Sequence, residues 1–135
     1  MSKRIMALAI VVVMAVVMCC SIQAAEGALM WENISYCYGG NLDFTGRSGN
    51  YYIEIYGQSG VEMITATVTL YFKNSSGVWV EMPMDWSYSV ESDELIIDED
   101  FTGVSGRQYK AVLDATVTKD GYDEPLTKTS IVTCP

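Results

Sequence analysis

Residues 63–90 read MITATVTLYFKNSSGVWVEMPMDWSYSV, and the alternation in this stretch decides the fold. From Met63 to Lys73, Ile64, Ala66, Val68, Leu70 and Phe72 point one way and Thr65, Thr67, Thr69 and Tyr71 the other, the period of a half-buried β-strand. From Val78 to Val90 the pattern repeats, with Val78, Val80, Met82, Met84, Trp86, Tyr88 and Val90 on one side and Trp79, Glu81, Asp85, Ser87 and Ser89 opposite. Between the runs, Asn74-Ser75-Ser76-Gly77 is a hairpin turn by composition, with Gly77 suited to a positive φ. Pro83 has no N–H to give a ladder, so the second run is expected at a sheet edge or with a bulge.

The same period recurs on either side. Tyr109, Ala111, Leu113, Ala115 and Val117 form an inward set, followed by Lys119-Asp120-Gly121, a hairpin signal, and a last run from Leu126 to Cys134 whose start Pro125 marks. Shorter runs at Tyr36–Phe44, Tyr51–Gly57 and Glu94–Asp98 bring the count to about seven strands, and the mature chain carries no helical period. Each such strand has one apolar face and needs a second sheet to cover it, so the expected fold class is all-β, an antiparallel two-sheet sandwich.

Composition bounds the rest. Of 135 residues, 1–25 read as a signal peptide: Lys3 and Arg4, an apolar run from Ile5 to Met18, and a small-residue tail with cleavage after Ala24 or Ala25. The alternatives are a retained membrane anchor, for which the run is short, and a lipid-modified Cys19 or Cys20, for which Met18 is the wrong preceding residue. Residues 26–135 then form one domain, secreted and expected to be monomeric. The mature chain keeps six basic residues against all 17 acids, a formal charge of −11. So acidic a surface repels nucleic acid and anionic membranes, and it leaves no membrane insertion once the signal is gone. The chain has no histidine, which removes the Ser-His-Asp and Cys-His nucleophile systems and imidazole metal sites. No pair of carboxylates has a spacing that places them about 5 to 9 Å apart across a cleft, so no enzyme and no cofactor are expected.

After cleavage, Cys37 and Cys134 remain, and in an exported protein they are expected to pair. The bridge would close 98 residues and add about 4 to 5 kcal/mol on the chain-entropy model.

The segment Phe101-Thr102-Gly103-Val104-Ser105-Gly106-Arg107-Gln108-Tyr109, running into Lys110–Ala115, resembles the corner and sixth strand of fibronectin type III and related immunoglobulin-like domains. The resemblance implies that the Tyr109 hydroxyl bonds back across that corner. Ile64–Thr133 also resembles small uncharacterised secreted β-sandwich proteins of Gram-positive bacteria, on Tyr71…Gly77-Val78-Trp79-Val80, Gly106…Tyr109 and Thr116-Val117-Thr118-Lys119-Asp120-Gly121…Glu124. It implies a bacterial source and no particular activity.

Tyr52, Tyr56, Tyr71 and Trp79 occupy outward positions and form the candidate binding set, Tyr71 and Trp79 as cross-strand neighbours in one register. Trp31, Tyr36, Tyr38 and Tyr122 would extend it from one end. The acids Glu91, Asp93, Glu94, Asp98, Glu99 and Asp100 are dense enough to consider calcium, but Leu95-Ile96-Ile97 divides them, pointing the two groups from opposite ends of a short strand. Asn33-Ile34-Ser35 and Asn74-Ser75-Ser76 fit the glycosylation pattern, relevant only in a eukaryote. The function these residues lead to is a secreted, non-enzymatic binding or interaction module for a protein or glycan outside the cell. A carbohydrate-binding module on the Tyr71–Trp79 face and a calcium-stabilised domain are the alternatives.

Overall fold

Eight antiparallel strands form in residues 31–135, the part of the chain that the computed structural model describes; the signal peptide expected at residues 1–25 lies outside the described residues. The strands are β1 (Ile34–Thr45), β2 (Ser48–Gly57), β3 (Met63–Lys73), β4 (Trp79–Glu81), β5 (Trp86–Val90), β6 (Glu94–Thr102), β7 (Gln108–Lys119) and β8 (Tyr122–Thr133). One sheet has the order β1-β2-β6; the other has β4 and β5 end to end along the same edge of β3, then β7 and β8. The inner faces meet in one core: Ile34, Leu42, Tyr51, Ile53, Ile55, Leu95, Ile97 and Phe101 from the first sheet, and Ile64, Ala66, Val68, Leu70, Trp86, Tyr109, Leu113 and Val117 from the second. The expected all-β sandwich is therefore what forms, with an eighth strand.

The eighth strand comes from Pro83. The run Val78–Val90 was expected as one strand and is two, because at Pro83 the chain leaves the ladder: Met82 N–H donates to Leu70 O and Met84 N–H to Met82 O, a three-residue turn about the proline. Register changes from Tyr71↔Glu81 to Val68↔Trp86, two residues more on the outer strand. Since side chains alternate with period two, the slip leaves the residues of β4 and β5 on the side the sequence pattern assigned them, while Val78, ahead of β4, is exposed. The last strand begins at Tyr122, not at Pro125, and the Asp120-Gly121 hairpin has φ of 53° and 74°, the two positive angles of a tight turn between twisted strands.

The corner read from Phe101–Tyr109 closes as implied: Val104 N–H donates to the Tyr109 hydroxyl at 2.8 Å, with Tyr109 itself buried. Phe44, Phe101 and Tyr109 stack around it with ring centroids 5.4–5.5 Å apart. At the other end, Asn33 and Glu124 are both buried. Glu124 accepts from Asn33 N–H at 3.1 Å and Ile34 N–H at 3.3 Å, while the Asn33 amide donates to Val117 O and Tyr122 O. This knot holds the start of β1 to the β7–β8 hairpin and consumes the Asn33 amide that glycosylation would need.

Candidate functional site

The first sheet's outer face is set by two bulges in β1. Ladder register shifts between Ile34 and Tyr36 and again between Gly39 and Asn41, leaving Ser35 and Gly40 as extra residues. Ile34, Leu42 and Phe44 point toward the core, and the same parity would carry Tyr36 and Tyr38 inward. Between the bulges the parity is reversed, so Tyr36 and Tyr38 stand out, 51% and 58% exposed. Gly39 and Gly40 make this possible with φ of 89° and 82°. A Cβ on Gly39 would lie 2.5 Å from Tyr52 O, and one on Gly40 2.8 Å from Lys128 Cδ, whose ammonium enters there to donate to Gly39 O at 2.7 Å.

Reading across β1, β2 and β6, the outward residues form four rows: Tyr36, Tyr56 and Glu94; Tyr38, Glu54 and Ile96; Asn41, Tyr52 and Asp98; Asp43, Asn50 and Asp100. Tyrosines and carboxylates thus alternate around the exposed Ile96. These three strands contain six acids and no lysine or arginine, whereas the other five contain four of each sign. Among the strands, the net negative charge therefore falls on one sheet.

Local bonds stiffen the face. Asn50 donates to Asp98 Oδ1 at 2.7 Å and Asp100 Oδ1 at 2.8 Å, Tyr52 donates to Glu54, and the Tyr36 and Tyr56 rings lie 5.9 Å apart. The hydrogen bond to Glu54, with desolvation and nearby carboxylates, pushes the Tyr52 hydroxyl up to about 12; desolvation and the charges of Glu54 and Glu94 raise Tyr56. A cleft of about 150 Å³ opens between Tyr38, Gly39, Asn41, Asp43 and Tyr52. Its polar groups are a carboxylate, an amide and the tyrosine hydroxyls; no cation is among its lining residues, although Lys128 reaches Gly39 O from β8.

Tyr71 and Trp79 lie on the opposite sheet, so the candidate set is divided between two faces. Trp79 pairs with Lys73, and Tyr71 with Glu81 on one side and Lys110 on the other. The Lys110 ammonium sits 4.7 Å from both ring centroids and that of Lys73 5.5 Å from Trp79. These two aromatics are already engaged by the domain's own cations. Tyr122 is exposed on the β7–β8 hairpin, and Trp31 precedes the compact unit, which begins at Asn33.

The expected disulfide does not form, and Cys37 and Cys134 are free thiols. β8 lies alongside β1 with Lys128 at Gly39, Ser130 at Leu42 and Cys134 at Gly46. This alignment sets Cys134 at a point nine residues along the chain from Cys37, roughly 30 Å at strand rise, against the ~7 Å limit for bridged Cα atoms. Cys134 is instead packed at Gly103 beside Phe44, and burial pushes the Cys37 thiol up, Lys128 pulling it partly back. The acidic stretch also differs from expectation. Asp98, Glu99 and Asp100 continue β6, with alternate carboxylates outward and Glu99 turned to accept from Tyr88 of the other sheet. Among the described residues, no three of His, Cys, Asp or Glu come close enough to hold a metal ion.

Sequence reasoning left Tyr36 and Tyr38 as an extension and passed over Asn41, Asp43 and Ile96. The signal was Gly39-Gly40 inside a strand pattern, the composition of a bulge.

The fold is that of an immunoglobulin-like β-sandwich. The chain is similar to a PapD-like domain of human CEP192, with a TM-score of 0.51 and 12% identity over 74% of this chain and 84% of that one. A β-glucuronidase of Parabacteroides merdae aligns with a TM-score of 0.39 and 13% identity over 76% of this chain and 13% of the enzyme. No family model and no curated protein matches the sequence.

Proposed function

We propose that this protein is an exported, non-enzymatic interaction module that binds a partner outside the cell through the outer face of β1-β2-β6. The observation that carries the reading is Tyr36, Tyr38, Tyr52 and Tyr56 set among Asp43, Glu54, Glu94, Asp98 and Asp100, around the exposed Ile96. Tyrosine supplies large amphipathic contact area at small entropic cost, and it is enriched where proteins recognise one another. The bonds from Asn50 and Tyr52 support the reading by holding side chains in place before any partner arrives. The Tyr71–Trp79 corner supports a sugar-binding reading less well, since a stacked sugar would compete with the Lys110 ammonium over both rings.

The test is capture from secreted and surface fractions by the immobilised exported chain, with Tyr38→Ala/Ile96→Ser and Trp79→Ala in parallel. Retention lost only in the first variant, with its thermal melt unchanged, supports this face. Retention lost only in Trp79→Ala moves the site to the other sheet, and no retention by the unaltered chain counts against a binding role.

A further inference from the structure

Resting on that reading of the face, the geometry points to its occupant: an extended segment of a partner protein carrying two basic side chains four residues apart. The first part of the argument is charge. β1, β2 and β6 present carboxylates and no lysine or arginine, so a neutral partner would leave them facing an uncompensated interface and a cationic one would neutralise them.

The second part is the pairing of aromatic and acid at two separate points. One is the cleft of about 150 Å³, where Tyr38 and Tyr52 are walls and Asp43 supplies the counter-charge. The other is the row of Tyr36, Tyr56 and Glu94, with its rings 5.9 Å apart. A guanidinium or ammonium head fits each by the same chemistry, a ring quadrupole together with a carboxylate. Arginine suits both sites better than lysine, because its planar head stacks on a ring while its N–H groups reach an acid.

The third part is spacing. Tyr52 and Tyr56 mark the two points on β2, and four residues at strand rise put them roughly 13 Å apart. An extended segment lying along β2 advances equally in four of its own residues and turns both side chains to the same side. The intervening inward residue sits over Glu54 and beside Ile96, which favours a small apolar or hydroxylated side chain there.

Calorimetric titration of the exported chain tests this with three synthetic peptides: Ser-Arg-Ser-Thr-Ser-Arg-Ser, the shuffled Ser-Arg-Ser-Thr-Arg-Ser-Ser, and Ser-Gln-Ser-Thr-Ser-Gln-Ser. The first is expected to bind at least about tenfold more tightly than the second, and the third not at all. Asp43→Asn and Tyr38→Ala should each weaken the first about tenfold, and Trp79→Ala should leave it unchanged. Equal affinity for the first two peptides would overturn the two-point spacing, and equal affinity for the third would overturn the cationic occupant. If no arginine peptide binds while Tyr38→Ala/Ile96→Ser still abolishes capture, the inference fails and the binding face stands. If that variant does not affect capture either, both fall. A dimer in sedimentation that Tyr38→Ala dissociates would assign the face to a second copy and overturn the proposal.

Discussion

Removing the same oxygen atom from two equally buried tyrosines should destabilise the protein at one and not at the other. Tyr51 and Tyr109 are each 1% exposed, so replacing either by phenylalanine alters apolar burial by nearly the same amount and that contribution cancels in the comparison. At Tyr109 the hydroxyl accepts from Val104 N–H at 2.8 Å. Its loss removes a net contribution of about 1 kcal/mol, and the stranded N–H raises the cost to about 1–2 kcal/mol, since Val104 is near enough to solvent for partial rehydration. At Tyr51 the hydroxyl has no hydrogen-bond partner among the described residues, so the folded state bears its desolvation uncompensated. Tyr51→Phe is therefore expected to be neutral or to stabilise by about 1 kcal/mol. The two variants should differ by about 1–3 kcal/mol, which for a domain of this size is a gap of roughly 4–24 °C in Tm. Urea denaturation followed by circular dichroism measures both, with unchanged m-values showing that the unfolded state is not the cause. Equal destabilisation by the two substitutions would refute the reasoning, since it would mean that the Tyr51 hydroxyl is satisfied or that Tyr109 does not hold the corner.

Glu124→Ala leaves the Asn33 and Ile34 amides without their carboxylate and should cost roughly 2–5 kcal/mol in urea denaturation, with Glu124→Gln between it and the unaltered protein. A double-mutant cycle with Asn33→Ala should show clear non-additivity, and simple addition would mean that the knot does not act as a unit. Gly40→Ala meets Lys128 and a φ of 82°, and is expected to lower stability by about 1–3 kcal/mol and to weaken capture through the displaced Tyr38; a neutral result on both counts refutes the bulge's role. Denatured in the absence of reductant, a chain of residues 26–135 should titrate both Cys37 and Cys134, and reduction should leave its intact mass unchanged. The raised hydroxyls of Tyr51, Tyr52 and Tyr88 mean that the folded state keeps protons the unfolded state loses first. Their titration therefore leaves stability unchanged below pH about 10 and lowers it as pH rises toward 12, where ionisation is resisted only in the folded state, which melts between pH 8 and 11.5 would detect and a flat profile would contradict.

Much of the fold was legible because a half-buried strand writes its period into local sequence. Ile64 to Leu70 and Tyr109 to Val117 alternate cleanly, Asp120-Gly121 has the composition its two positive φ angles require, and Tyr109 follows the turn it closes. Even where Pro83 broke a strand, the two-residue slip preserved which residues face inward. The candidate site was less legible, because facing there depends on what lies across the sheet. Ser35 and Gly40 have no partners on β2, and that pairing alone turns Tyr36 and Tyr38 out to join Tyr52 and Tyr56. The acids of β6 read as a divided loop cluster, since aspartate and glutamate are poor strand formers; pairing with β2 and the Asn50 bonds hold them in one strand.

By itself, then, the sequence determined the all-β class, the hairpins and the corner, all of which rest on neighbours a few residues apart. Only the tertiary structure decided that Tyr71 and Trp79 belong to a different face from Tyr52 and Tyr56, that the net negative charge of the strands falls on one sheet, and that Cys37 and Cys134 lie beyond bonding distance. Those outcomes depend on which strands share a sheet and on how β8 aligns with β1, relations between residues some ninety positions apart that no local period records.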